Sequence, residues 1–109
     1  MRLAFDIDGT LAEGGEPGDY GKAVPIPERI LAVNRLYDDG HHIIIFTARG
    51  QLMGETRTIL NATRRQLRRW GLQFHELREK PAADLYVDDL ATRPEDFFGT
   101  AEGLGEVPG

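Results

Sequence analysis

Two aspartates, Asp6 and Asp8, stand one residue apart at the end of the first apolar run of the chain. The first carboxylate can attack phosphorus and form an acyl-phosphate that water then hydrolyses. The second can protonate the leaving oxygen and later deprotonate that water. Gly9 follows, and glycine lets the backbone turn sharply enough for both side chains to face one pocket.

Polar side chains also follow later apolar runs. Thr47 comes after the run 43–46, Lys80 follows a third run, and Asp88 with Asp89 follows a fourth. Several carboxylates in one place repel one another and need a cation, and an all-oxygen site suits Mg²⁺. A lysine and a hydroxyl beside that cation can neutralise a phosphoryl group in its transition state. These residue types predict a magnesium-assisted phosphoryl site if the fold brings them together.

The predicted secondary structure explains why these polar side chains should lie close together. Their order is strand, loop, helix, strand, helix, strand, short link, strand, over residues 3–7, 11–25, 27–39, 43–46, 54–70, 72–77 and 85–87, with a single helical turn at 94–98. This alternation is typical of α/β proteins and predicts a Rossmann-like, three-layer α/β/α sandwich with a small, mostly parallel sheet. Right-handed crossovers place the carboxyl ends of all strands at one edge, where ligands bind in open α/β sheets.

The motifs resemble a known superfamily. Asp6-Ile7-Asp8-Gly9-Thr10 resembles the first motif of the haloacid dehalogenase (HAD) superfamily. Thr47, Lys80 and Asp88-Asp89 resemble its second, third and fourth motifs, in order, over about residues 1–98. The resemblance implies a phosphatase with Asp6 as nucleophile, Asp8 as general acid/base, and Thr47 and Lys80 as phosphate-binding residues. The implied magnesium site is formed by Asp6, the backbone carbonyl of Asp8, Asp88 and Asp89, the last supporting the shell of the metal.

A closer likeness concerns the segments 18–20, 24–27, 46–50 and 80–84, which are similar to small HAD phosphatases of capsule and lipopolysaccharide sugar biosynthesis. It implies a phosphorylated sugar or a similar small metabolite as substrate. HAD enzymes often carry a cap domain, but the flap at 11–25 is too short for one, so a capless enzyme is expected. Arg49 lies just past Thr47 and is a candidate for contact with the substrate phosphate or sugar, and Tyr20 and Lys22 in the flap are further candidates.

Composition narrows the class of protein. The chain has 109 residues, a net charge of −5 and no cysteine. One domain is expected at 1–98, with a flexible tail at 99–109. The absence of cysteine excludes disulfides and thiolate metal sites and suits the cytoplasm. Asp6 and Asp8 interrupt the N-terminal apolar run, so a signal peptide is not expected, and no run is long enough for a membrane span.

Several alternatives remain open at this point. A nucleotide or nucleic-acid-end phosphatase would suit the basic second helix, although the net charge argues against nucleic acid as a partner. The arginines of that helix are otherwise a solvated face. The chain could also be a catalytically silent binding module of the same fold. An open, capless site further suggests a homo-oligomer, either a dimer or a tetramer. A calcium loop is disfavoured, because Thr10 and Leu11 stand where such a loop needs Asp or Asn and then Gly.

Overall fold

The computed structural model describes residues 1–51 and 54–99. In chain order the elements are β1 (Arg2–Phe5), β2 (Ala12–Glu13), a 3₁₀ turn (Tyr20–Lys22), β3 (Val24–Pro25), α1 (Pro27–Asp38), β4 (His42–Thr47), α2 (Thr56–Arg69), β5 (Glu76–Glu79) and α3 (Pro94–Phe98). The three longer strands form a parallel sheet in the order β1–β4–β5. The predicted α/β class with a parallel sheet is confirmed. The predicted tail beyond residue 99 lies outside the described residues.

The bounds and the buried face of α1, the helix between β1 and β4, follow from local sequence signals. Pro27 stands at the start of α1, where its missing N–H costs no hydrogen bond. Ile30, Val33 and Leu36 recur at helical spacing and are buried against the sheet. Gly40 has a φ of +96°, a left-handed conformation that suits glycine and ends the helical segment. The bounds of α1 therefore agree with those predicted.

The core lies mainly on one face of the sheet. Ile43 and Ile45 of β4 are fully buried, whereas the intervening Ile44 and the following Phe46 are only half-buried. The register pairs Phe5 of β1 with Ile45, so both belong to the buried face. An unbroken apolar run such as that of β4 is typical of a strand covered on both faces, but in the described residues the second face is covered in part only.

This second face carries an ionic network centred on Glu76. One of its carboxylate oxygens lies 2.6 Å from His42 Nε2 and 3.4 Å from Arg2 Nη2, and the other accepts a hydrogen bond of 2.7 Å from Arg78 Nε. The hydrogen bonds from His42 and then Arg78 lower the pKa of Glu76 to about 2. Because the folded-state pKa lies below the unfolded value of 4.5, ionised Glu76 stabilises the fold above about pH 4.5, and this contribution disappears as the pH falls towards about 2.

Replacing Glu76 by glutamine should therefore lower stability at neutral pH and have little effect at acidic pH. The measurement is urea unfolding of both proteins at pH 7 and at about pH 2, where most of this contribution has disappeared. Glu79→Gln on the same strand is the control, because Glu79 lies outside this network. Equal destabilisation by Glu76→Gln at both pH values would contradict the assignment.

The third predicted strand begins later than predicted, at Glu76 instead of Leu72, and as β5 it lies at the edge of the sheet. The fourth predicted strand, 85–87, is wrong: these residues form no strand in the described structure. Leu85 and Val87 are 77% and 92% exposed. Three apolar residues form only a short strand, and without hydrogen bonds to a neighbour such a run has no reason to be extended and buried.

The flap was predicted as a plain loop, but it is closed by a small hairpin. β2 pairs antiparallel with β3, with Ala12 opposite Pro25. The N–H of Ile26 donates to the carbonyl of Leu11 over 2.8 Å, which ties the end of the flap to its beginning.

In residues 1–51 and 54–99, no helix has both the length and the apolar character needed to cross a membrane.

Candidate active site

The carboxyl ends of β1, β4 and β5 bring five of the predicted residues to one edge of the sheet. Lys80 Nζ lies 3.5 Å from Asp6 Oδ2, and the N–H of Lys80 donates to the carbonyl of Thr47 over 2.9 Å. The guanidinium of Arg49 contacts the carboxylate of Asp8. Residues from positions 6 to 80 thus share one small region. The parallel topology explains this, since all three strands point the same way.

The turn after β1 fixes the relative position of Asp6 and Asp8. The N–H groups of Thr10, Leu11 and Ala12 all donate to the carbonyl of Ile7, over 2.8 to 3.1 Å. Gly9 has a φ of +85°, which makes this tight turn possible without strain. A short parallel bridge joins residues 8 and 12 through the Gly9 N–H and the Ile7 carbonyl, and neither bond uses the carbonyl of Asp8 itself. The carbonyl of Asp8 therefore takes no part in this bridge.

Asp6 and Lys80 form a half-buried ion pair. Burial raises the pKa of Asp6, and the charge of Lys80 lowers it in part. The ammonium of Lys80 lies 4.8 Å from the ring centroid of Phe46 and 4.0 Å from that of Tyr86. Both rings attract the cation and hold it beside Asp6. The arrangement presents a partly desolvated carboxylate next to a fixed positive charge.

Thr47 is 1% exposed and ends β4. Its Oγ1 accepts a hydrogen bond of 3.1 Å from the N–H of Arg49, two residues on. A hydroxyl that accepts one bond keeps its proton for donation. Its predicted role in holding phosphate stays a prediction, and the observed bond shows how its side chain is oriented.

Arg49 is 2% exposed and points to Asp8. Its Nε and Nη2 donate to the two oxygens of Asp8 over 2.7 and 2.8 Å, while Nη1 donates to Thr63 Oγ1 and Gln66 Oε1 over 3.2 and 2.7 Å. These bonds use four of the five N–H groups of a guanidinium. The predicted contact of Arg49 with the substrate phosphate or sugar stays a prediction, and the described contacts direct its guanidinium at the carboxylate of Asp8.

Two parts of the flap lie close to the Arg49 guanidinium and the Asp8 carboxylate. The ring of Tyr20 lies 4.7 Å from Arg49 Cζ, and the Tyr20 carbonyl accepts a hydrogen bond of 2.8 Å from Gln66 Nε2. Gly15 approaches from the other part of the flap: a Cβ there would lie 2.5 Å from Asp8 Oδ1. A larger residue at position 15 would therefore displace the Asp8 carboxylate or the flap.

Sequence reasoning missed Gln66 and Gly15 as site residues. A signal was present for Gln66. Thr63 and Gln66 are polar residues at i and i+3 of α2, and both are buried on the same side of the helix as Leu67. Buried polar side chains require partners, so such a pair indicates a buried hydrogen-bonding group facing the helix. In contrast, most arginines of α2 are exposed, which favours the solvated interpretation of that helix: Arg57, Arg65, Arg68 and Arg69.

The structure does not bring Asp88 and Asp89 to this edge. Both are exposed, and Asp88 Oδ1 accepts a local hydrogen bond of 2.8 Å from the N–H of Leu90. The reason is the missing fourth strand, which was expected to carry them there. Within residues 1–51 and 54–99, no group of three or more acidic or histidine side chains is placed to hold a metal ion. Two of the four predicted carboxylates, Asp6 and Asp8, are at the site.

Comparison with protein-family models gave no match, and comparison with curated proteins gave none either. Among solved structures, the fold is similar to that of a protein from Vibrio cholerae solved as an MCSG target, with a TM-score of 0.78 and 28% identity over 92% of this chain and 89% of that one. It is also similar to D,D-heptose 1,7-bisphosphate phosphatase from B. bronchiseptica, complexed with magnesium and phosphate. That match has a TM-score of 0.51 and 18% identity, and it covers 84% of this chain but 54% of the other. These likenesses show that the fold is shared.

Proposed function

We propose that the chain is a phosphomonoesterase of the HAD type that acts through an aspartyl-phosphate on Asp6. The contact that carries this proposal is the ion pair between Asp6 Oδ2 and Lys80 Nζ at 3.5 Å, with Asp8 fixed two residues further on. A carboxylate beside a cation suits attack on a phosphoryl group, because the lysine can neutralise the charge that develops on its oxygens.

In this proposal the Asp6 oxygen forms a bond to phosphorus as the bond to the leaving oxygen breaks. Asp8 gives a proton to the leaving oxygen, which departs as an alcohol. A water molecule then attacks the phosphorus of the aspartyl-phosphate, Asp8 takes the proton of that water, and phosphate leaves with Asp6 restored. Thr47 and Lys80 hold the phosphoryl oxygens throughout.

The oxygen donors present fit Mg²⁺. This ion keeps several waters and is usually bound by one or two carboxylates together with substrate phosphate. Asp6 and the carbonyl of Asp8, which lies outside the backbone ladder, would hold it. When bound, Mg²⁺ supplies positive charge next to the transferring phosphoryl group. Asp88 would complete the site only after movement of its segment. This movement would be short, because Tyr86 contacts Lys80 and the two residues from Tyr86 to Asp88 span at most about 7 Å.

The proposed substrate is a phosphorylated sugar or a similar small metabolite of surface-polysaccharide synthesis, hydrolysed in the cytoplasm. The B. bronchiseptica neighbour is a heptose bisphosphate phosphatase, which supports a sugar phosphate over a nucleotide. A panel of sugar phosphates and nucleotides, assayed by phosphate release, tests the class of substrate. Absence of phosphate release from every member and from p-nitrophenyl phosphate would instead favour the silent binding module.

Activity should require Mg²⁺ and be lost with EDTA, and Ca²⁺ should inhibit, since its looser coordination disturbs in-line geometry. Asp88→Ala should raise the Mg²⁺ concentration for half-maximal activity by more than about 10- to 100-fold, the range for loss of a mere supporting partner, or eliminate activity, because Asp88 is a proposed ligand of the metal. The measurement is a magnesium titration of initial rates. Asp84→Ala, an exposed carboxylate in the same segment, is the matched control. Full activity in metal-free buffer would refute the metal assignment.

A further inference from the structure

Both oxygens of Asp8 are held by one guanidinium. Arg49 donates to them from Nε and Nη2, so the plane of the carboxylate is fixed as well as its position. Each oxygen keeps a second lone pair. Asp8 therefore remains able to exchange a proton on its solvent side, where its side chain is 27% exposed, while its orientation is set from the buried side.

The same guanidinium is attached to the flap. Gln66 accepts from Arg49 Nη1 through Oε1 and donates through Nε2 to the carbonyl of Tyr20. These two bonds define the orientation of the amide, because only its oxygen can accept and only its nitrogen can donate. The ring of Tyr20 also stacks near Arg49, at 4.7 Å from Cζ. Asp8, Arg49, Gln66 and the flap thus form one connected chain of contacts.

We propose that Arg49 and Gln66 are positioning residues that couple docking of the flap to the orientation of the Asp8 carboxylate. The inference rests on the proposed phosphatase function, and it assigns Arg49 a role other than contact with substrate. When the flap is docked, Gln66 fixes Arg49, and Arg49 fixes Asp8. When the flap is displaced, Arg49 loses the Tyr20 ring and its indirect link to the flap backbone, and the orientation of Asp8 is less restricted.

The first test uses the leaving group. The values of kcat/KM are measured for 2,4-dinitrophenyl phosphate, whose leaving group needs no proton, and for phenyl phosphate, whose leaving group does. This parameter reports the steps up to phosphoryl transfer to Asp6, and so isolates proton donation by Asp8 from its later role. Arg49→Lys and Gln66→Met should lose about 10²-fold on phenyl phosphate, the scale of general acid catalysis, and little on the dinitrophenyl ester. Arg35→Lys, an exposed arginine on α1, should match wild type on both.

The second test needs no activity. Lys22 and Ala23 donate their N–H groups within the flap, to Asp19 and Tyr20. Gln66→Met should speed hydrogen exchange of these amides, whereas Arg35→Lys should not. Unchanged exchange, or equal losses on the two esters, would overturn the coupling. If wild type cleaves neither ester, the proposed function fails, while the exchange experiment still decides whether Gln66 holds the flap.

Discussion

Replacing Asp6 by asparagine is expected to lower turnover by about 10⁴-fold or more, the scale seen when a catalytic nucleophile is removed. An amide is a poor nucleophile and cannot form the aspartyl-phosphate. The measurement is phosphate release together with trapping of the phosphorylated protein, which wild type should give and the variant should not. Hydrolysis near the wild-type rate would end the covalent mechanism.

The same substitution should leave the protein folded and more stable at neutral pH. Burial raises the pKa of Asp6 above its usual 3.8, so the ionised carboxylate is disfavoured in the folded state. The contribution of this group is most favourable below about pH 3.8 and is lost as the pH rises through the folded-state pKa. Asp6→Asn should therefore raise the free energy of unfolding at pH 7 and change it little at pH 3. Urea unfolding at both pH values checks this, with Asp84→Asn as an exposed control. A clear loss of stability at pH 7 would show that the pair with Lys80 outweighs burial.

The sequence predicted the parts of the fold that depend on local periodicity. The apolar run of β4, the helical stripe of α1 and the limits set by Pro27 and Gly40 all correspond to observed elements. The convergence of Asp6, Thr47 and Lys80 could also be predicted, because it follows from parallel topology and not from any single contact.

Features that depend on tertiary contacts could not be predicted in the same way. The direction of Arg49 is decided by Asp8, Thr63 and Gln66, which lie 41, 14 and 17 residues away. The strand at 85–87 was predicted from its apolar residues, but a strand also requires a hydrogen-bonded neighbour, which sequence pattern alone does not supply. The closing hairpin of the flap rests on two residue pairs, too few to give a periodic signal.

Replacing Asp8 by alanine should have the opposite effect on stability from Asp6→Asn, although both changes remove a carboxylate from one turn. Arg49 is 2% exposed, and without Asp8 its charge stays buried with only neutral partners, Thr63 and Gln66. Removing one partner of a fully buried ion pair costs about 3 to 5 kcal/mol, and the loss here should be smaller because the Asp8 side chain is 27% exposed. Turnover should fall as well, because Asp8 is the proposed proton donor.

A double-mutant cycle separates the charge effect from simple loss of contacts. Asp8→Ala and Arg49→Met are each measured by urea unfolding at pH 7, and then combined. The double variant should be less destabilised than the sum of the two, because it contains no uncompensated buried charge. Asp8→Asn is the matched control: it keeps an oxygen that can accept one bond from Arg49, so its loss should be smaller. If Asp8→Ala and Arg49→Met are additive, Arg49 does not depend on Asp8 for its burial. The proposed coupling between the flap and the Asp8 carboxylate would then fail at its contact with Arg49. A guanidinium that is equally stable without Asp8 cannot fix the orientation of that carboxylate.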